Sequence, residues 1–252
     1  MDLRERAHRT LLGATPLRNR ATRKRLVHAR RRLFEAAGSS RYSKPGHNDI
    51  DVILQRYLPE TGTFLEAGAN DGYTWSNTYY LERFKGWRGV LVEGIPALSE
   101  ECRRLRARSV VHNCALVEHG FAGDSVTMTY SDLRSLIAGS DPEMERLALE
   151  DGDTYSVDVP ARTLDDVLAQ SAVGPIDFVS LDLEGFEAAA LRGLDLDRHR
   201  PGWLLVEVAG GGGRPAVEQE LAGRYEAVAE LSPVDVLYRR CDARLDRAGN
   251  GA

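Results

Sequence analysis

Phe64–Gly72, FLEAGANDG, is the stretch on which the fold turns. Thr63–Glu66 reads as a short buried strand that ends in a carboxylate, and Gly68 and Gly72 then punctuate a tight loop. Glycine after a first strand lets the backbone approach a ligand closely, because no Cβ stands in the way. The next apolar run, Gly89–Glu93, also closes on an acid. An acid at the end of a second strand is placed to accept hydrogen bonds from a ribose. Together these features describe a nucleoside-cofactor site at the carboxyl edge of a parallel sheet.

The dinucleotide fingerprint G-x-G-x-x-G does not describe this loop. Asn70 stands where the second glycine belongs, and Asp71 would set a negative charge against a pyrophosphate. A cofactor bearing a cation suits Glu66 and Asp71 better. S-adenosylmethionine, with its sulfonium and ammonium groups, is such a cofactor. The plainer alternative is a glycine-rich turn with two solvated acids.

Outward from this stretch the chain alternates strand and helix patterns. A polar link, Ser39–Asn48, leads to a short helix over Asp49–Tyr57, with Asn48 or Asp49 as cap and Pro59 as stop. Helices are predicted over Thr78–Phe84 and Ala97–Arg106, and a third strand over Val110–Asn113. Strands over Phe178–Asp182 and Trp203–Val208 flank the helical stretch Gly185–Leu194. Glu226–Leu231 and Val234–Tyr238, split by Ser232-Pro233, read as a terminal hairpin that supplies an antiparallel edge. The predicted class is α/β: a mainly parallel, Rossmann-like sheet with helices on both faces. Residues 117–160 break the alternation. There Ser125–Tyr130 and Tyr155–Val159 alternate like strands around the acidic, helical-looking Pro142–Glu150, an insertion expected to shape the substrate pocket. Thr163 and Asp166 form a capping-box variant for a helix over Leu164–Leu168. Gly210–Gly213 reads as a lid or as a surface insertion.

The 252 residues fit one large domain with an arm, and a hydrophobic content of 42% supplies a core. No run approaches the roughly 20 apolar residues of a membrane span, and no apolar leader opens the chain. Cys102, Cys114 and Cys241 are too few and too scattered for a zinc knuckle or a disulfide framework, so a reducing cytoplasm is the expected compartment. The net charge of −5 is uneven: residues 1–37 hold eleven Lys or Arg against three acids, a local +8 that leaves −13 for the rest. Such an arm suits nucleic acid, an anionic membrane surface, the acidic body or a second subunit. Few aromatics interleave to stack on bases, which argues against nucleic acid and for a solvated, partly helical extension. The expected organisation is a basic arm at 1–40, a cofactor-binding body at 41–242 and a tail at 243–252.

FLEAGANDGYTWSNTYYLE at 64–82, WRGVLVEGIPAL at 87–98, CAL at 114–116, ARTLDDVL at 161–168, IDFVSLDLEGFEAAALRGLD at 176–195 and PGWLLVEV at 201–208 resemble, in this order, the FkbM family of S-adenosylmethionine-dependent methyltransferases. The set spans about residues 43–240, and GANDG with SNT and the later DLEG is its most specific part. The resemblance implies a class I methyltransferase fold, with an antiparallel last strand. It also implies methyl transfer, mostly to a hydroxyl of sugars, polysaccharides or natural-product scaffolds. By position, it implies that Glu66, Gly68, Asn70, Asp71 and Gly72 line the methionine end of the cofactor and that Asn77 supports it. Glu93 is expected to hold the ribose hydroxyls, Cys114, Ala115 and Leu116 to flank the adenine, and Asp182 to face the sulfonium and the acceptor.

Methyl transfer is an in-line displacement at a carbon already activated by sulfonium, so the protein must mainly align the acceptor. A base within hydrogen-bond reach helps a neutral hydroxyl attack. Asp182, Glu184 and Glu207 follow buried runs and are expected at adjacent strand ends. One could accept the proton; two could instead hold a divalent cation such as Mg²⁺, so metal use stays open. Glu184 and Glu187 also suit a helix N-terminus. Of the histidines, His112 reads as packed, His119 as a loop residue and His47 as within reach of the acceptor. The reading is an S-adenosylmethionine-dependent O-methyltransferase of a sugar or natural-product hydroxyl, with homo-oligomer formation open. Its rivals are an N- or carboxyl-methyltransferase on the same fold and a non-catalytic adenosine-ligand-binding regulator.

Overall fold

A computed structural model describes residues 20–131, 134–137, 154–209 and 212–242. Its contacts divide the chain between Ser43 and Lys44 into two units. In the first, helix α1 (Arg20–Ala36) is followed by a return of the chain. Ser43 Oγ donates to Glu35 Oε1 at 2.7 Å, the Arg30 guanidinium lies 3.9 Å over the Tyr42 ring, and Phe34 meets Tyr42 edge-on at 4.7 Å. The first 19 residues of the expected arm, and the expected tail at 243–252, lie outside the described residues.

The second unit carries strands β1 (Thr63–Ala67), β2 (Arg88–Val92), β3 (Val110–His112), β4 (Ala115–Leu116), β5 (Ser125–Ser131), β6 (Arg134–Ile137), β7 (Thr154–Arg162), β8 (Phe178–Leu181), β9 (Trp203–Glu207), β10 (Tyr225–Glu230) and β11 (Asp235–Arg240). Seven of them form one sheet in the order β10-β11-β9-β8-β1-β2-β3. From β9 to β3 all neighbours are parallel. The central strands are mostly apolar because both faces are covered, with Glu66 of β1 and Ser180 of β8 as buried polar exceptions. Leu65, Ala67, Val90, Val92, Val179, Leu181, Leu204 and Val206 share one face. Leu164 and Val167 of α5 (Leu164–Ser171), Leu191 of α6 (Glu187–Arg192), Leu196 of α7 (Leu196–His199) and Val217 of α8 (Gly213–Leu221) pack against them. Phe64, Leu91, Phe178, Leu205 and Leu237 fill the other face with Ile50, Leu54, Leu81 of α3 (Tyr79–Phe84), Trp87 and Cys102.

The pairing register aligns the strand ends. Ala67 pairs with both Val92 and Leu181, and Leu181 pairs with Val206. Gly68, Glu93, Asp182 and Glu207 therefore all stand one residue beyond a common row. The strand order reverses between β1 and β8, the switch point at which open α/β sheets bind ligands.

Three expectations are refined. The helix expected over Asp49–Tyr57 is instead a 3₁₀ turn (His47–Asp49), one α turn (α2, Ile50–Ile53) and a second 3₁₀ turn (Leu54–Arg56). Asn48 and Asp49 are left-handed, with φ of 53° and 58°, so Asp49 cannot aim its side chain at the turn and makes no capping bond. The terminal hairpin enters the sheet in reverse of chain order: β11 pairs antiparallel with β9, and β10 forms the edge. The helix α8, opened by Gly212 at φ 88°, was not foreseen.

The expected insertion forms a second sheet, in the order β4-β7-β5-β6, with a small core of Ile95, Ala115, Met128 and Val159. Its predicted helix at 142–150 lies outside the described residues. The Thr163–Asp166 capping box is present in both directions and starts α5. Among the described residues no helix is long and apolar enough to cross a membrane.

Candidate active site

A cavity of about 350 Å³ opens over the aligned strand ends. Its floor is the loop after β1. Gly68 has φ 82°, and a Cβ there would meet the Asp182 carbonyl oxygen at 1.9 Å, so only glycine lets the loop pass this close to the end of β8. The amides of Gly68 and Ala69 both donate to Val92 O at 3.0 Å, which ties the loop to β2.

The loop acids divide by direction. Asp71 accepts from Tyr73 N at 2.9 Å, Thr74 N at 2.7 Å and Thr74 Oγ1 at 3.0 Å. It shapes the turn and does not line the cavity. Gly72 is likewise outside the lining, packed where a Cβ would meet Arg106 Cγ at 2.8 Å. Glu66 lines the cavity, yet its oxygens are taken by protein donors: Asn77 N at 2.7 Å, Ser76 Oγ at 2.9 Å and Thr78 Oγ1 at 2.6 Å.

Arg106, a residue that sequence reasoning missed, completes this network. Its guanidinium meets Glu82 at 2.8 Å, Thr78 Oγ1 at 2.7 Å, Ser76 Oγ and Gly72 O at 3.1 Å, and Glu66 at 3.5 Å. Burial works against its charge, and Glu82 and Glu66 overcome that, holding it above the usual arginine range. Arg106 ends the helix α4 (Pro96–Leu105), and nothing in its immediate sequence marks it as buried. The only available hint was the run of polar residues Ser76, Asn77 and Thr78 that would need an internal partner.

At the end of β2, Glu93 accepts from Asn70 N at 2.7 Å and from Ile95 N at 2.8 Å. Burial raises its pKa to about 7 against the pull of those two bonds. Gly94 follows because a Cβ there would meet Met128 Sδ at 2.2 Å, so the inserted sheet presses directly on this corner. Cys114, Ala115 and Leu116 form an apolar wall beside it, with Val92 and Leu98. Burial pushes the Cys114 thiol up to about 12, which leaves it neutral and unreactive. Asn77 donates from Nδ2 to Ser180 Oγ at 3.2 Å, and its Oδ1 is buried with no hydrogen-bond partner among the described residues.

Asp182, Glu184 and Glu207 all line the cavity. Asp182 is exposed to the cavity, and its carboxyl group and that of Glu207 act on one another electrostatically. Both are raised above the ordinary carboxylate range, first by burial and then by neighbouring acids: Asp235 for Asp182, and Asp182 itself for Glu207. Two interacting carboxyl groups disfavour double ionisation, which favours one proton on the pair. Glu187 is turned inward, accepting from Leu183 N at 2.7 Å and Gly185 N at 3.2 Å, and braces the loop after β8.

His47 lines the cavity, whereas His112 bonds Ser171 Oγ at 2.8 Å and His119 lies 3.3 Å from Asp165. Among the described residues no three His, Cys, Asp or Glu side chains are grouped to hold a metal ion.

A family model for the methyltransferase FkbM domain matches residues 66–230. The chain belongs to the FkbM methyltransferase family. It is an S-adenosylmethionine-dependent methyltransferase. Three solved structures are similar to this FkbM methyltransferase. One is a TehB-like SAM-dependent methyltransferase from Corynebacterium glutamicum, at 14% identity over 88% of this chain and 100% of that one, with a TM-score of 0.42. Another is the O-methyltransferase from Bacillus cereus in complex with SAH, at 15% identity over 92% and 96%, with a TM-score of 0.42. The third is an RNA methyltransferase from Salinibacter ruber in complex with S-adenosyl-L-homocysteine, at 16% identity over 76% and 88%, with a TM-score of 0.38. Similarities of this size assign no acceptor. A comparison with curated proteins returns no match.

Proposed function

We propose that this methyltransferase acts on a hydroxyl of a sugar or natural-product acceptor, and that the Asp182–Glu207 pair takes the hydroxyl proton. The pair carries the reading: two carboxyl groups with raised pKa at adjacent strand ends, both lining the cavity. S-adenosylmethionine supplies the activated methyl carbon. The residues present fit that cofactor. Glu93 has lone pairs beyond the two its amide donors use, suited to ribose hydroxyls. Asn77 Oδ1, buried without a donor among the described residues, suits the ammonium of the methionine end. The wall of Cys114, Ala115 and Leu116 suits the adenine. In this reading Glu66, Asp71 and Gly72 act through the loop, holding the amides and Asn77 in place.

A hydroxyl that gains a methyl group must lose its proton. Asp182, with Glu207 holding the shared proton, is the base within the cavity that receives it. A pair that shares one proton has half the charge of two free carboxylates, so it discriminates less strongly in favour of a cationic amine. The test supplies methyl-labelled cofactor with hydroxyl, amine and carboxylate acceptors and locates the label by NMR. Label on a hydroxyl oxygen is expected. Label on nitrogen or on a carboxyl oxygen moves the protein to a rival activity.

A further inference from the structure

We infer that Trp75, backed by His47, forms an acceptor subsite at the mouth of the cavity, where the indole face carries the ring whose hydroxyl is presented to Asp182. The inference rests on the hydroxyl-transfer reading above and adds to it the residue that positions the acceptor.

Trp75 is 44% exposed and lines the cavity, whereas Trp87 is fully buried and Trp203 partly so. Its backbone is left-handed, at φ 59°. Bulky side chains avoid that region, and glycine would adopt it at no steric cost. The surroundings hold the conformation in place: Gly46 and Trp75 form a β-bridge on one side, and on the other Ser76 and Asn77 are bonded to Glu66. A strained backbone that displays a large aromatic surface to solvent contributes nothing to the core. Strain of this kind concentrates where a side chain must face a ligand.

The neighbours say what the indole faces. The His47 ring lies 5.8 Å from it, tilted by 42°, and supports it from one side. His47 acts electrostatically on Asp182, as does Asp235, and both line the same cavity. The mouth thus sets a flat apolar surface beside carboxylates. The indole packs on the C–H face of a ring, and the carboxylates accept from its hydroxyl groups. Acidic rings are repelled by Asp182, Glu184 and Asp235. A neutral, hydroxyl-bearing ring satisfies both halves of the subsite.

The test uses the full chain saturated with S-adenosylhomocysteine and methyl glycosides of neutral hexoses as probes, read by saturation-transfer NMR. Saturation concentrated on one face of the sugar ring is expected. Trp75→Phe should retain it. Trp75→Ala and Trp75→Gly should weaken probe binding by about tenfold or more. Calorimetry should show S-adenosylhomocysteine affinity unchanged in all three. Trp75→Gly should melt no lower than the parent, which separates loss of a subsite from loss of fold. Probe binding that survives Trp75→Gly, or absence of any glycoside signal from the loaded parent, overturns the subsite. Label on nitrogen, with Trp75→Gly still abolishing acceptor capture, removes the hydroxyl reading and leaves the subsite standing.

Discussion

Glu66, inside β1, and Asp182, just past β8, lie on neighbouring strands of one sheet and line the same cavity, and their partners give them different work. The Glu66 carboxyl is met by donors: a backbone amide, two hydroxyls and the Arg106 guanidinium. Asp182 meets a second carboxyl group, that of Glu207. A carboxylate surrounded by donors is an anchor, because moving a proton onto it would break bonds already made. A carboxyl facing another carboxyl is a proton store. Position at the carboxyl edge of the sheet is common to both, so position alone does not distinguish structure from chemistry; the partners do.

Two substitutions break the comparison most sharply. Asp182→Asn keeps the shape of the proton store and removes its charge. Loss of a general base costs about 10²–10⁴ in rate. Turnover should fall by that factor, with S-adenosylhomocysteine affinity and Tm unchanged. Normal turnover on the true acceptor would show that alignment alone carries the reaction. Arg106→Met strikes the anchor instead. It leaves Glu66 and Glu82, both buried, without their counter-charge. Removing one partner of a buried ion pair destabilises by about 3–5 kcal/mol. Urea unfolding should report a loss of that size, and adding Glu82→Gln should recover part of it. A loss under about 1 kcal/mol would make the network ornamental.

Glu93 is intermediate between these types, since it is bound by two amides and yet raised to about 7. Glu93→Ala removes a charged acceptor for ribose hydroxyls, worth about 1.5–3 kcal/mol. Calorimetry should show S-adenosylhomocysteine affinity falling roughly 10- to 100-fold. Unchanged affinity would return Glu93 to the anchors, as a loop brace only.

Much of this was legible in the sequence, for a physical reason. Strands buried on both faces are mostly apolar, so β1, β2, β8 and β9 stand out as short runs, and the acid or glycine at the end of each run is conspicuous. Gly68, Glu93, Asp182 and Glu207 were found that way. Arg106 was not, because a buried guanidinium is defined by partners up to 40 residues away in sequence, at Glu66. The inward turn of Asp71 was hidden for a related reason: an Asx-type turn and a ligand contact use the same residue type at the same place. The internal position of β11 also escaped, since a hairpin's own sequence fixes its pairing but not which of its strands meets the sheet.

The smallest expected effect separates acids that are buried from acids that are merely recessed. Glu187 is buried, and burial raises its pKa from 4.5 to about 7 in spite of its bonds from Leu183 N and Gly185 N. The folded protein then binds its proton more tightly than the unfolded chain does, so stability falls with pH wherever the unfolded chain has already ionised. The contribution is fully present below pH about 4.5 and is lost as pH rises through about 7. Glu93, raised to about 7 in the same way, adds to the slope. Acids with lowered values, such as Asp166 and Asp195, act in the opposite sense below this window. Tm should therefore be a few degrees higher near the bottom of the window than above it, at about 2–4 °C for each kcal/mol in a body of this size. Glu187→Gln keeps an oxygen to accept from Leu183 N and removes the titration. Its Tm profile should be flatter than the parent's by the share that Glu187 contributes. An unchanged slope would mean that water reaches this carboxyl group, and that the loop after β8, which carries Glu184 into the cavity, opens more readily than its bonds suggest.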